Sequence, residues 1–229
     1  MAGLPSPGDE ASDAARWWRA YVLAENDRED ELRGLAATGN DYARRHLASW
    51  LSDRARTEEA IEMIRPLADT GDDVAELWLA RWLADGDHLD ELRQRAASGS
   101  YHALPELAKL LAKHDLYGEL RERASSSGGY YALRELAKRL AQRDRHDELR
   151  ELAAAADPER RLLILQAAGE AGSVETDVLR VLADLRDKRG RAWLGWRLAR
   201  EGHLDELRQR AESGDEDAQH WLGEALSQP

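Results

Sequence analysis

The chain has 229 residues, a net charge of −12, and neither cysteine nor phenylalanine. Disulfides, zinc–thiolate sites and a cysteine nucleophile are therefore excluded. The acidic balance argues against non-specific nucleic-acid binding and favours a cationic partner. Charged residues make up 34% and apolar ones 42%, a balance that suits a soluble, helix-rich protein. Lysine stands only at Lys109, Lys113, Lys138 and Lys188; the preference for arginine points to a GC-rich, bacterial genome.

Residues 1–11 have no basic start and no apolar stretch, so they are expected to be a short disordered lead and not a secretory signal. Residues 12–229 are expected to form a single repeat domain. The longest apolar run, Leu162 to Leu165, is too short to span a bilayer, and the expected compartment is the cytoplasm.

The first predicted element is a helix over Ala15 to Ala24, which caps the N-terminal end. A repeated phrase follows. It is clearest as Asp205-Glu-Leu-Arg-Gln-Arg-Ala-Glu-Ser-Gly214 and, almost verbatim, from Asp90 to Gly99. With its leucine as position zero, the phrase recurs at Leu32, Ile64, Leu92, Leu120, Leu149, Leu179 and Leu207, so seven copies are predicted. Arginine follows each time, at Arg33, Arg65, Arg93, Arg121, Arg150, Arg180 and Arg208. Alanine stands four later, at Ala36, Ala68, Ala96, Ala124, Ala153, Ala183 and Ala211. Residues four apart share a helix face, so each phrase predicts a short helix A.

The start of helix A is assigned to Asp27, Asp87, Asp115 and Asp144, with Asp30, Asp90 and Asp147 near a capping-box spacing. Its end is assigned to Gly39, Gly71, Gly99 and Gly214. Helix B follows, with the pattern Ala75/Leu79/Ala80/Leu83/Ala84 and close copies from Ala103 and Ala132. Looser copies start at Ala43, Gly190 and Ala218. Small residues at helical spacing let neighbouring helices approach closely.

Two places break the pattern. The loop between Leu51 and Ile64 carries four extra residues. From Asp157 to Thr176 helix B slips register: Pro158 opens it, and Gln166 and Glu170 stand where leucine is expected. The slip either adjusts superhelical twist or remodels a groove for a partner. The expected architecture is all-α, a curved solenoid of about seven A–B repeats with an extra N-terminal helix.

Ala211-x-x-Gly-Asp-x-x-Ala-Gln-x-x-Leu-Gly223 resembles the core of tetratricopeptide-like repeats, especially the SEL-one type, and Ala68 to Ala80 is similar. Those families repeat at roughly 34–36 residues, whereas these units are nearer 28. The resemblance implies a scaffold or adaptor that holds peptides or protein partners on the inner face of the A helices.

With zero and +4 buried, helix A presents positions −2, +2 and +5 outward. From these positions the candidate partner-binding residues are Asp90, Gln94, Glu122, Asp147, Glu151, Asp177, Val181, Asp184, Gln209 and Glu212. They are rich in carboxylates and hold no basic residue. They form either a solvated face, with acids placed by the helix dipole, or a groove for an Arg- or Lys-containing segment. The arginine after each leucine either pairs with acids of its own or the next repeat, or clamps an anion. Trp18, Trp78, Trp193 and Trp221 share one helix B position, with Trp50 and Trp82 one turn on and Trp17 and Trp196 flanking. They either pack between repeats or form an exposed patch for a partner or a second copy. Tyr42, Tyr101, Tyr130 and Tyr131 fall at the A-to-B turns.

The histidines are scattered, no spacing suggests a metal, and no glycine-rich loop joins a strand to a helix. No catalytic residue and no cofactor is expected. The expected function is a cytoplasmic, non-enzymatic scaffold for proteins or peptides, with no direct nucleic-acid or membrane partner. Two alternatives stand: an acidic inhibitor or immunity-type protein that blocks a basic partner, and a self-association module dimerising through its Trp-rich ends.

Overall fold

The computed structural model describes residues 13–126, 128–170, 176–184 and 187–227. The expected lead at residues 1–11 lies outside them. All regular structure among the described residues is helical. The helices are α1 (Asp13–Glu25), α2 (Glu29–Ala37), α3 (Asp41–Ser52), α4 (Thr57–Asp69), α5 (Asp73–Asp85), α6 (Leu89–Ala97), α7 (Ala103–Lys113), α8 (Tyr117–Ser125), α9 (Tyr130–Gln142), α10 (His146–Ala155), α11 (Pro158–Glu170), α12 (Thr176–Asp184), α13 (Lys188–Glu201), α14 (Leu204–Glu212) and α15 (Glu216–Ser227). They group into two compact units, Met1–Leu110 and Leu111–Pro229.

In both units the even-numbered helices hold the recurring leucine and the odd-numbered ones the Leu/Ala pattern. The zero-position residue is buried in all seven copies: Leu32, Ile64, Leu92, Leu120, Leu149, Leu179 and Leu207. Burial of a leucine side chain stabilises by roughly 1.5–3 kcal/mol, so this one position anchors each short helix. The odd-numbered helices bury the second half of the core, among them Leu47, Leu79 and Leu83 in the first unit and Leu136, Leu140 and Leu198 in the second.

The junction from an even to an odd helix follows from two adjacent residues. Gly39, Gly71, Gly99 and Gly214 take φ of 85°, 86°, 94° and 93°, the left-handed geometry expected of them. The next side chain then caps the following helix: Asn40 accepts from the Ala43 amide at 3.1 Å, Asp72 from Ala75 at 2.9 Å, Ser100 from Ala103 at 3.2 Å and Asp215 from Ala218 at 3.2 Å.

The opposite junction corrects the assignment of the four aspartates. Asp27, Asp87, Asp115 and Asp144 do not start the even-numbered helices. They take φ of 55°, 58°, 57° and 54° and close the preceding helix in the left-handed region. The residues at the start, Arg28, His88, Leu116 and Arg145, make no side-chain cap. Aspartate is among the few residues other than glycine that visit this region readily. Gly202, with φ of 77°, fills the same place before α14.

The four extra residues before Ile64 are likewise not loop. They add a turn to the front of α4, which has 13 residues where α2 and α6 have 9.

In the second unit the turns after α8 and α10 differ from the glycine type. Ser126 and Ala156 are extended there, with ψ of 159° and 147°. Asp157 caps α11 through the Arg160 amide at 2.9 Å, and Pro158 takes its first helical position. Gln166 and Glu170 are exposed, and α11 buries Leu163, Ile164, Ala167 and Ala168 in their place. The slip in register is therefore real, and the helix keeps a complete apolar face.

Candidate functional site: the clefts between even-numbered helices

In four of the seven copies the arginine after the buried zero-position residue reaches the next even-numbered helix. Arg33 Nη2 lies 2.8 Å from Glu59, Arg65 Nη2 3.0 Å from Glu91, Arg121 Nη2 2.8 Å from Glu148 and Arg180 Nη2 2.6 Å from Glu206. Hydrogen bonds from Arg56 and Arg33 hold the Glu59 carboxyl down to about 2. Arg180 and Arg121 act in the same direction on Glu206 and Glu148. Burial raises the Glu91 carboxyl, but Arg65 and Arg95 together outweigh it and leave it lowered. These arginines are held by acids of their own fold, the first of the two alternatives for them.

The same pairing alters the predicted acidic face. Every described member of it is exposed: Asp90, Gln94, Glu122, Asp147, Glu151, Asp184, Gln209 and Glu212. The side chains of Asp177 and Val181 lie outside the described residues. Asp90 and Asp147 each meet an arginine one turn on, Arg93 and Arg150, at 2.9 Å, and Asp184 meets Arg210 at 3.0 Å. The positions themselves hold no base, but the bases beside them neutralise these three acids. Glu122, Glu151 and Glu212 make no ion pair with the described residues.

Among the described residues, two clefts open between even-numbered helices. One, of about 520 Å³ in the first unit, lies between α4 and α6 and holds the predicted residues Asp90 and Gln94. Its walls are charged: Arg95 crosses it to Asp69 of α4 at 2.9 Å and also pairs with Glu91 of its own helix at 3.0 Å. The other, of about 420 Å³ in the second unit, lies between α8 and α10 and holds Glu151. Its floor is apolar, made by Ala124, Leu133, Leu152 and Ala155, with the Arg121–Glu148 pair on one wall. Arg160 closes one end by donating to the carbonyls of Ala124 at 2.9 Å and Ser126 at 2.6 Å. These carbonyls sit at the end of α8, where no left-handed glycine closes the turn. The slipped α11 thus supplies the arginine that shapes this cleft.

One position sets the contrast between the clefts. Three residues after the buried leucine stands Arg95 in α6 and Leu152 in α10. Arginine crosses the groove and fills it with charge, whereas leucine leaves an apolar floor. The sequence reading missed Leu152, Leu133 and Arg160. Leu152 had no distinguishing signal: Leu35, Leu67 and Leu182 hold the same position in three other copies, and Arg95, Arg123 and Arg210 in the remaining three.

The tryptophans divide between their two readings. Trp17, Trp18, Trp193 and Trp196 are exposed, while Trp50, Trp78, Trp82 and Trp221 are half-buried. On α1 and α3, Trp17 stacks on Tyr21 at 5.3 Å and meets His46 edge-on at 5.8 Å. Burial lowers the pKa of His46. Tyr101 and Tyr130 are exposed at their turns. Among the described residues no cluster of three metal-ligating side chains forms, and no helix is long and apolar enough to cross a membrane. Compared with known protein families, with curated proteins and with solved structures, the chain matches none of them.

Proposed function

We propose that this all-α chain is a solenoid of seven A–B repeats with an extra N-terminal helix, and that it works as a non-enzymatic, peptide-binding scaffold. The tetratricopeptide-like phrases and the seven buried zero positions support the architecture. The observation that carries the function is the α8–α10 cleft. It joins an apolar floor to the Glu151 carboxylate, which has no ion pair among the described residues. Its occupant is a segment with an apolar side chain beside arginine or lysine. Burying one such side chain contributes roughly 1.5–3 kcal/mol, so micromolar binding, about −8 kcal/mol, requires further contacts along exposed residues such as Glu122.

The net charge of −12 steers a basic segment toward the protein. It equally favours the acidic-inhibitor alternative. The pairing of Asp90, Asp147 and Asp184 with arginines weighs against the continuous negative stripe that alternative needs.

The test is peptide selection from a displayed library on the wild-type protein, followed by titration of the selected peptides against Glu122→Lys/Glu151→Lys. The proposal expects peptides combining apolar and basic residues, weakened by the charge reversal and by added salt. Unchanged affinity at low salt would contradict it.

A further inference from the structure

The α13–α15 contact contains a seat for a tryptophan. Gly195 of α13 lies under Trp221 of α15: a Cβ added there would stand 2.6 Å from the Trp221 ring and 3.2 Å from the Asp217 carbonyl oxygen. A side chain here would force the Trp221 ring out of its place. Beside this seat, Leu198 is fully buried.

Helix α15 carries a second copy of the seat, which no described residue fills. Gly223 follows Leu222 in α15 as Gly195 follows Leu194 in α13, and Leu226 corresponds to Leu198. A Cβ added at Gly223 meets nothing within 4 Å, and Leu226 is 59% exposed where Leu198 is 0%. Among the described residues nothing covers on α15 the surface that α13 buries under α15.

The first helix carries the matching part. Trp18 stands three residues after Ala15 in α1, as Trp221 stands three after Ala218 in α15. In α15 that position meets the preceding odd-numbered helix, and α1 has none before it among the described residues. Trp18 is 36% exposed and its neighbour Trp17 is 42% exposed.

We propose that a second copy of this chain docks head to tail, with its Trp18 over Gly223 and its α1 covering Leu226. The contact continues the α13–α15 packing from one molecule into the next. It is heterologous, because each copy uses two different surfaces, and so it builds a ring or an open chain of copies.

Sedimentation velocity over a concentration series tests this. For wild-type protein the average mass should rise with concentration. Gly223→Leu fills the seat and Trp18→Ala removes the ring, so each variant alone should stay monomeric, with a far-UV spectrum like the wild type. An equal mixture should then form a dimer and nothing larger, because one variant keeps Trp18 and the other keeps Gly223. A wild-type protein that stays monomeric throughout would overturn the proposal. So would variants that still associate, or a mixture that remains monomeric, which would point to a symmetric contact or none.

Discussion

Arg180 of α12 and Glu206 of α14 meet at 2.6 Å across 26 residues of sequence, and Arg65 with Glu91 repeats the pair at the same separation. The pairing joins successive even-numbered helices, whose exposed faces have little apolar surface to hold them together. It has a consequence for acid stability. The carboxyls of Glu29, Glu59, Glu91, Glu148 and Glu206 are all lowered below their ordinary value of 4.5. A lowered carboxyl contributes its full stability above the ordinary value and loses it as pH falls through the folded value. Thermal melts should therefore keep their midpoint above pH 4.5 and lose it progressively toward about 2, the value for Glu59. A midpoint flat across that window would contradict the ladder.

Ala55 occupies the left-handed closing position before α4, with φ of 57°. Alanine has no side-chain group to offset the clash there, whereas aspartate or glycine stands at the other described positions of this kind, Asp27, Asp87, Asp115, Asp144 and Gly202. Ala55→Gly is expected to stabilise the protein by about 0.5–1 kcal/mol, the relief of left-handed strain less the added chain entropy of glycine. Denaturant unfolding measures it, and a loss of stability would go against this assignment.

Two further glycines should respond in opposite directions. Gly34 lies inside α2 with nothing within 4 Å of an added Cβ, so Gly34→Ala should stabilise by about 0.5–1 kcal/mol. Gly190 lies against α12, where a Cβ would stand 2.5 Å from the Leu182 Cβ and 3.0 Å from its carbonyl carbon. Gly190→Ala should destabilise by about 1–3 kcal/mol through overpacking. Equal effects in paired melts would contradict the close approach of α12 and α13.

The buried half of each short helix was legible because Leu and Ala recur four apart, and the closing glycines were legible because few other residues suit that turn. The closing aspartates misled. Asp27 precedes an acidic first turn, which is also what a capped helix start looks like, and only its positive φ separates the two roles. The acidic face was read from positions −2, +2 and +5 alone. Position +1, assigned to the buried edge, bends back to neutralise Asp90 and Asp147, and long side chains conceal such reach in a sequence. The α8–α10 cleft was hidden for a different reason: it depends on Arg160, 36 residues from the Ala124 carbonyl it contacts.

A peptide held in the apolar cleft beside Glu151 must lose its seat in Leu152→Arg. Arg95, Arg123 and Arg210 hold the same position in other copies, so the fold should accept the change while the cleft fills with charge. Calorimetric titration with a peptide selected on the wild-type protein should show affinity at least about tenfold weaker, about 1.4 kcal/mol, with helicity unchanged. Unaltered affinity in a folded Leu152→Arg protein would contradict the account.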